Sequence, residues 1–399
     1  MTGDRYRINR ITNALERSQI DALVCALPAN VLLLSGYWPV LGTAIAIVTR
    51  GGFVYLLAPD DEEDLARSGW ADIVETFSLG SLNQIRTAVD VLRVPLEMVL
   101  VGLGSQRRMA IGCESGEDVQ PTSYVGMHLF GSVLDKLIVE ILPAAVTMSA
   151  DLVLSRLRAT LTTSEQDRVR LACEIAGDAF SGSANLRPGL KEAEAASLFH
   201  NLLAASEKAE NALARADGFM FCMSGPNSAA AYAAYQCSRS RRIEAGDLVL
   251  IHCNSYVDGY WTDITRTFCL GRPDQRKRKM YEAVFAARQA ALDSIHPGVK
   301  AAGVDEAART VLSHYGFEKE FKHGLGHGVG FAAVNHNASP RLHPASEDVL
   351  EPGMIFNIEP AIYCDGFGGI RHCDMVLLTD HGPEVLTPFQ STLESLTVT

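Results

Sequence analysis

Residues 251–268, "IHCNSYVDGYWTDITRTF", read as two β-strands joined by a tight turn that carry a histidine and an aspartate at suggestive spacing. If Asp258-Gly259 is a two-residue turn, Val257 pairs with Tyr260, Asn254 lies opposite Asp263, and His252 lies diagonal to Asp263 on the same face. Diagonal neighbours stand roughly 7–8 Å apart at the backbone, a span two inward-leaning side chains can bridge around a metal ion. A second hairpin, "GMIFNIEPAIY" and "GGIRHCDMVLL", repeats the theme: a turn centred on Gly366 puts Glu359 opposite Cys373, with Arg371 on the face of Cys373. Between the hairpins "HGLGHGVG" sets His323 and His327 four residues apart among glycines that let backbone approach a ligand closely, and His336 follows. Carboxylates facing inward from apolar strands are costly to bury unless paired or metal-bound, so Asp263 and Glu359 point to function.

These segments need elements to hold them. The chain has 399 residues, long for a single core, so two domains are expected. The first part alternates helical and strand patterns: "RYRINRITNALERSQI" has a helical apolar period, whereas "DALVCAL", "AIAIVT" and "GGFVYLLAP" look like buried strands of an α/β domain. Residues 31–49 lack charge over a membrane-like length, but Gly36, Pro39 and Gly42 break the run, and two buried strands around a turn are expected there. The run "DDEEDLARS" reads as a solvated helix start. Thr163 or Ser164 followed by Glu165 starts a long helix, which places the boundary near residue 157: domains 1–157 and 158–399. In the second part "LRPGLKEAEAASLFHNLLAA" and "IHPGVKAAGVDEAARTVLSHYG" each set Pro-Gly-x-Lys before an amphipathic helix. That repeat implies an α+β domain of two pseudo-twofold halves with a site between them.

Composition excludes several classes. With 35 Lys and Arg against 47 Asp and Glu, the net charge of −12 repels a phosphate backbone, so no nucleic acid partner is expected. No secretory signal or membrane span is read, and nine scattered cysteines without CxxC spacing suit reduced thiols, so the expected location is cytoplasmic.

The motifs "DGYWTDITRTF", "HGLGHGVG", "GMIFNIEPAIY" and "GIRHCDMVLL", in that order, together with "ALPANVLLLSGY" near the N-terminus, resemble the creatinase/aminopeptidase P family, the pita-bread hydrolases that include prolidases and methionine aminopeptidases. The resemblance implies a creatinase/prolidase-like N-terminal domain, a pita-bread catalytic domain and a homodimer. Its metal-dependent members use Asp, Asp, His, Glu and Glu as ligands. Carried over by position, the second Asp is Asp263, the His is His327 and the first Glu is Glu359, while the first Asp falls on His252 and the final Glu on Cys373. A further family histidine falls near Tyr232, and His323, His336 and Arg371 match positions that hold substrate or developing charge, with His336 two residues later than usual.

The departures thus gather at the metals. Asp263, His327, Glu359 and Cys373 remain as a four-ligand set for one divalent transition ion such as zinc, manganese or iron, with His252 as a fifth ligand or the holder of a water. Bland readings stand beside these: Cys373 as a small buried hydrophobe, His252 as a satisfied strand histidine, Tyr232 as packing, Arg371 as a counter-charge to Glu359 and Asp374. The expected activity is hydrolysis of a C–N bond in a short Xaa-Pro-like peptide or a small molecule. The alternatives are a metal-free creatinase-like or lyase-type enzyme using His252 for acid–base work, and a non-enzymatic binding protein on the same fold.

Overall fold

The computed structural model describes residues 4–39, 44–78, 87–104, 108–115, 131–232, 237–332 and 334–399. It divides into two units, 1–158 and 159–399, one residue from the boundary read in the sequence. The expected turn of residues 31–49 lies partly outside the described residues, since 40–43 do.

The first unit is built on a six-stranded sheet of β1 (Ala22–Cys25), β2 (Ile45–Thr49), β3 (Val54–Pro59), β4 (Ile73–Phe77), β5 (Ala110–Cys113) and β6 (Val146–Ser149) in the order β4-β3-β2-β1-β5-β6. Val24, Ile47, Leu57 and Ile111 bury one sheet face with Leu96 and Leu100 of the helix Ala88–Gly104 and Leu137 and Ile138 of the helix Gly131–Ile141. The helix Arg5–Arg17 starts at Asp4, whose carboxylate accepts the Arg7 N–H, and buries Ile11 and Leu15. The stretch expected to form two strands differs in its first half. Pro28–Ser35 is a helix, because Pro28 presets its first turn and Gly36, at φ 74°, takes the left-handed conformation that ends it. The acidic run also differs in one residue: Glu62 is buried, accepting the Tyr37 hydroxyl, while Asp60 and Asp61 are exposed.

The second unit opens with the helix Thr163–Phe180, whose capping box pairs Thr162 with Glu165. Its strands are β7 (Ala216–Ser224), β8 (Leu248–Val257), β9 (Tyr260–Trp261), β10 (Ile264–Leu270), β11 (Ile355–Ile358), β12 (Ala361–Cys364), β13 (Gly368–Arg371), β14 (Asp374–Thr379), β15 (Gly382–Val385) and β16 (Thr397–Val398). They form a sheet of order β16-β10-β8-β7 with β9 on β8, a three-stranded sheet β11-β14-β15 and the pair β12-β13. The sequence repeat is structural. In both copies the Pro-Gly glycine has positive φ (Gly189, 92°; Gly298, 86°), and the lysine two residues on, Lys191 or Lys300, makes an isolated antiparallel bridge and occupies the position just before the helix Glu192–Ala204 or Ala301–His314.

Both hairpins keep the expected register. Asp258 and Gly259, at φ 52° and 87°, make the tight turn that pairs Val257 with Tyr260, and Cys253 with Ile264 continues the same alignment. In the second, Cys364 pairs with Gly368 and Ala361 with Arg371, and the alignment resumes at Ile358 with Asp374. The ladders lapse at 262–263 in one and at 359–360 and 372–373 in the other. An isolated bridge between Thr265 and Cys373 then ties the two hairpins together.

Candidate active site

Asp263, Glu359 and Cys373 sit in those lapses, just beyond the ends of β10, β11 and β14, and His327 lies in the glycine-rich loop. The Asp263 Oδ2 stands 3.6 Å from His327 Nε2, and its Oδ1 3.7 Å from both His252 Nδ1 and Cys373 Sγ. All of these side chains, with Glu359 and Arg371, belong to residues at most 4% exposed, so their charges must be compensated from within.

The glycines act on backbone rather than on a ligand. A Cβ on Gly326 would lie 2.0 Å from the Asn357 carbonyl oxygen, and one on Gly328 would lie 2.2 Å from that of Ser339. Only glycine lets this loop lie against its neighbours, which holds His327 in place: its N–H donates to Asn357 Oδ1 and its own carbonyl accepts the Asn357 N–H. The His327 Nδ1–H donates to the Gly328 carbonyl at 3.0 Å, leaving Nε2 toward Asp263, the orientation a metal-ligating imidazole needs.

Electrostatics sort the titratable groups. Burial raises the Asp263 carboxyl, but His252, His327 and Arg371 outweigh it and hold it below its ordinary value. Burial raises Glu359 despite the Arg371 guanidinium. Burial lowers His327, but Asp263 and Glu359 carry it above its ordinary value. Burial pushes His252 and His323 down to about 4, so both rings are neutral near pH 7. Burial, Asp263 and Glu359 keep Cys373 a thiol, and its Sγ donates to the Asp263 carbonyl at 3.0 Å. A bound cation reverses that preference, since a coordinating thiol loses its proton.

Among the described residues, two sets offer donor atoms mutually within 4.8 Å: Asp263, Glu359 and Cys373, and His327, His336 and Glu359. Glu359 belongs to both. His336, read as a substrate-side group, packs edge-on against His327 with ring centroids 5.0 Å apart and faces solvent. His252, read as a fifth ligand, is in neither set; its Nε2 contacts Asn254 Oδ1 at 2.8 Å and its Nδ1 contacts Thr265 Oγ1 at 3.0 Å and Arg371 Nη2 at 3.1 Å.

Arg371 reaches Glu359, with Nε 3.8 Å from Oε2, but Asp374 is compensated by Arg266 and Arg288 instead. His323 donates from Nδ1 to the Gly324 carbonyl and accepts the Tyr363 hydroxyl at Nε2. Tyr232 is 45% exposed, tilted against Tyr363 with centroids 5.5 Å apart, and Lys322 Nζ stands 4.5 Å over its ring.

Thr265, Asn357 and Tyr363 are site residues not singled out from the sequence, which places Asn254 opposite Asp263 without giving it a role. Strand alternation carries the signal for all of them: Asn254 shares a face with His252, Thr265 with Asp263, Asn357 with Glu359, and Tyr363 stands diagonal to Arg371.

The profile described as metallopeptidase family M24 matches residues 167–380, more than half of the chain. The chain belongs to the M24 family. A creatinase/prolidase N-terminal domain matches residues 7–115. An Xaa-Pro dipeptidase of Pyrococcus furiosus is 34% identical, covering 96% of this chain and 98% of that protein, and one of Pyrococcus horikoshii is 28% identical over 96% of each. The crystal structure of the Pyrococcus horikoshii prolidase superposes with a TM-score of 0.75 at 27% identity, covering 96% of this chain and 98% of that one. As an M24 member with this pita-bread domain, the chain is a hydrolase of the metallopeptidase type, in a family served by divalent metal ions. Among its described residues no helix is long and apolar enough to cross a membrane.

Proposed function

We propose that this M24 member hydrolyses the C–N bond of a short Xaa-Pro-type peptide at a centre built for one divalent ion. The observation that carries this reading is the convergence of Asp263, Glu359 and Cys373 on one side and His327 with Glu359 on the other. Charge balance supports a single ion: with the ion bound, the Asp263 and Glu359 carboxylates and the Cys373 thiolate would supply three negative charges, which one divalent cation and the Arg371 guanidinium neutralise, and the neutral His252 ring adds none. Asp263, His327, Glu359 and Cys373 would hold the ion, whose Lewis acidity would polarise the scissile carbonyl.

The chain's own groups do the rest. Arg371 is the fixed positive charge beside Glu359 and offsets negative charge that develops on the carbonyl oxygen. His336, at the solvent edge of the site and held below its ordinary pKa by partial desolvation and by His327, is a neutral imidazole that can take a proton from the attacking water and pass it to the leaving nitrogen. Tyr232 and Tyr363 form an aromatic wall suited to a proline ring. The Xaa-Pro preference rests on the dipeptidase relatives, and the small size of the substrate follows them.

The test is elemental analysis of protein purified without added metal or chelator, followed by assay of Xaa-Pro dipeptides. About one equivalent of a transition metal, lost in Cys373→Ala, together with turnover supports the reading. Turnover of a small amide by metal-free protein, with none of Xaa-Pro dipeptides after incubation with zinc, manganese or iron, would replace it with metal-independent chemistry. The Cys373 thiol donating to the Asp263 carbonyl, a contact that closes the site without an ion, is what favours that second reading.

A further inference from the structure

His252 has no part in the reaction above, although it is buried at the centre of the site. Its protonation state follows from the groups around it. Asn254 donates from Nδ2 to the Thr262 carbonyl at 2.9 Å, which turns its Oδ1 toward His252 Nε2. An amide oxygen only accepts, so Nε2 carries the hydrogen. The other nitrogen, Nδ1, is then the acceptor of the neutral ring, and it receives the Thr265 hydroxyl and Arg371 Nη2. Arginine does not give up its proton, so a hydrogen on Nδ1 would face a hydrogen on Nη2. Neither nitrogen is thus open to a metal ion.

The same contacts aim Arg371. Its Nε donates to Thr265 Oγ1 at 3.0 Å, Nη2 to His252 and Nη1 to the Ala231 carbonyl at 3.3 Å. The guanidinium is thereby fixed beside Glu359, and His252 Nδ1, which holds it, lies 3.7 Å from Asp263 Oδ1. A permanent cation therefore stands on the His252 side of both carboxylates, where a second metal ion would meet it.

We propose that His252 is a positioning residue that holds the Arg371 guanidinium as the second cation of the site, and that this pair limits the centre to one divalent ion. The proposal rests on the single-ion reading and gives His252 a role as neither ligand nor base. An aspartate at 252 would neutralise Arg371, and a glutamate at 373 would offer two oxygen donors where the thiolate offers one.

Two measurements test it. In protein carrying ¹⁵N-labelled histidine, long-range ring correlations, assigned through His252→Asn, should show His252 as the Nε2–H tautomer, unchanged when zinc is added. An Nδ1–H tautomer, or a zinc-dependent shift of either nitrogen into the coordinated range, overturns the assignment.

Calorimetric titration with zinc should give about one equivalent for the wild type and for His252→Asn, whose amide oxygen can accept from Arg371. The double variant His252→Asp, Cys373→Glu should take about two. Two equivalents in the wild type, or one in the double variant, would overturn the limit set by this pair while leaving the hydrolase reading intact. Absence of any bound metal would instead remove the metal centre itself, and the tautomer spectrum would still decide the role of His252. For the peptide reaction, His252→Leu should lower kcat by about 10- to 100-fold with little change in KM, and His252→Asn should restore most of it.

Discussion

Arg266→Met tests the account of how the two hairpins are held together. Arg266 is fully buried, donates to the carbonyls of Thr265, Cys373, Thr387 and Phe389, and pairs with Asp374 at 2.7 Å, so it spans the strand after Asp263 and the residues around Cys373. Methionine fills similar volume but leaves those acceptors without their donor. Breaking a buried ion pair from one side typically costs about 3–5 kcal/mol. Asp374 keeps Arg288 at 2.5 Å and the Thr387 hydroxyl at 2.8 Å, so the lower end applies, about 3 kcal/mol. With an m-value of about 3 kcal/mol per molar urea for a unit of this size, the midpoint falls by about 1 M. Trp261 reports this transition, because the other tryptophans, Trp38 and Trp70, lie in the first unit. Adding Asp374→Asn should recover little of the loss, since Arg288 still compensates that carboxylate. A midpoint shift below about 0.3 M for Arg266→Met would refute the argument that this network clamps the site.

Three further outcomes are expected. Gly326→Ala places a Cβ 2.0 Å from the Asn357 carbonyl, so the His327 loop must move, with about 3 kcal/mol or more lost in urea unfolding and metal affinity weakened in titration. Asp263→Ala and Glu359→Ala should each abolish metal retention by elemental analysis and lower turnover by about three orders of magnitude; wild-type turnover in Asp263→Ala would discard the site altogether. In the first unit burial raises the Glu114 carboxyl above its ordinary value. Its stabilisation is therefore complete below about pH 4.3 and is lost as pH rises through the higher folded value, so Glu114→Gln should flatten that unit's loss of stability above about pH 4.3, followed by Trp38 and Trp70 fluorescence.

Much of the site was legible because hairpin register is arithmetic. One turn at Asp258-Gly259 and another at Gly366 fix which residues oppose one another, so the placement of Asp263 by Asn254 and of Glu359 by Cys373 follows from the sequence alone. The Pro-Gly-x-Lys repeat was legible for a similar reason, since a positive-φ glycine before a helix constrains both sequence and backbone. The role of His252 was not, because a hydrogen-bond chain through Asn254 and Thr262 decides which nitrogen is free, and spacing says nothing about that. The glycines of "HGLGHGVG" were read as making room for a ligand. They make room for the Asn357 and Ser339 carbonyls, a long-range contact that local sequence does not encode. Pro28–Ser35 misled because a short apolar run fits a buried strand and a buried helix equally well.

Asp263, His327, Glu359 and Cys373 stand outside the named strands, whereas His252 and Arg371 lie within them. A substitution at Asp263, His327 or Glu359 exchanges a donor atom without disturbing a paired ladder, and one at Cys373 meets only its single bridge to Thr265, so the chemistry of the centre can drift while the architecture persists. Changes at the second group are constrained by their strand neighbours as well. Such a division gives a lineage freedom to try new ligand sets on an unchanged frame, and it predicts that revertants of site-destroying mutations will arise mostly at the unladdered positions.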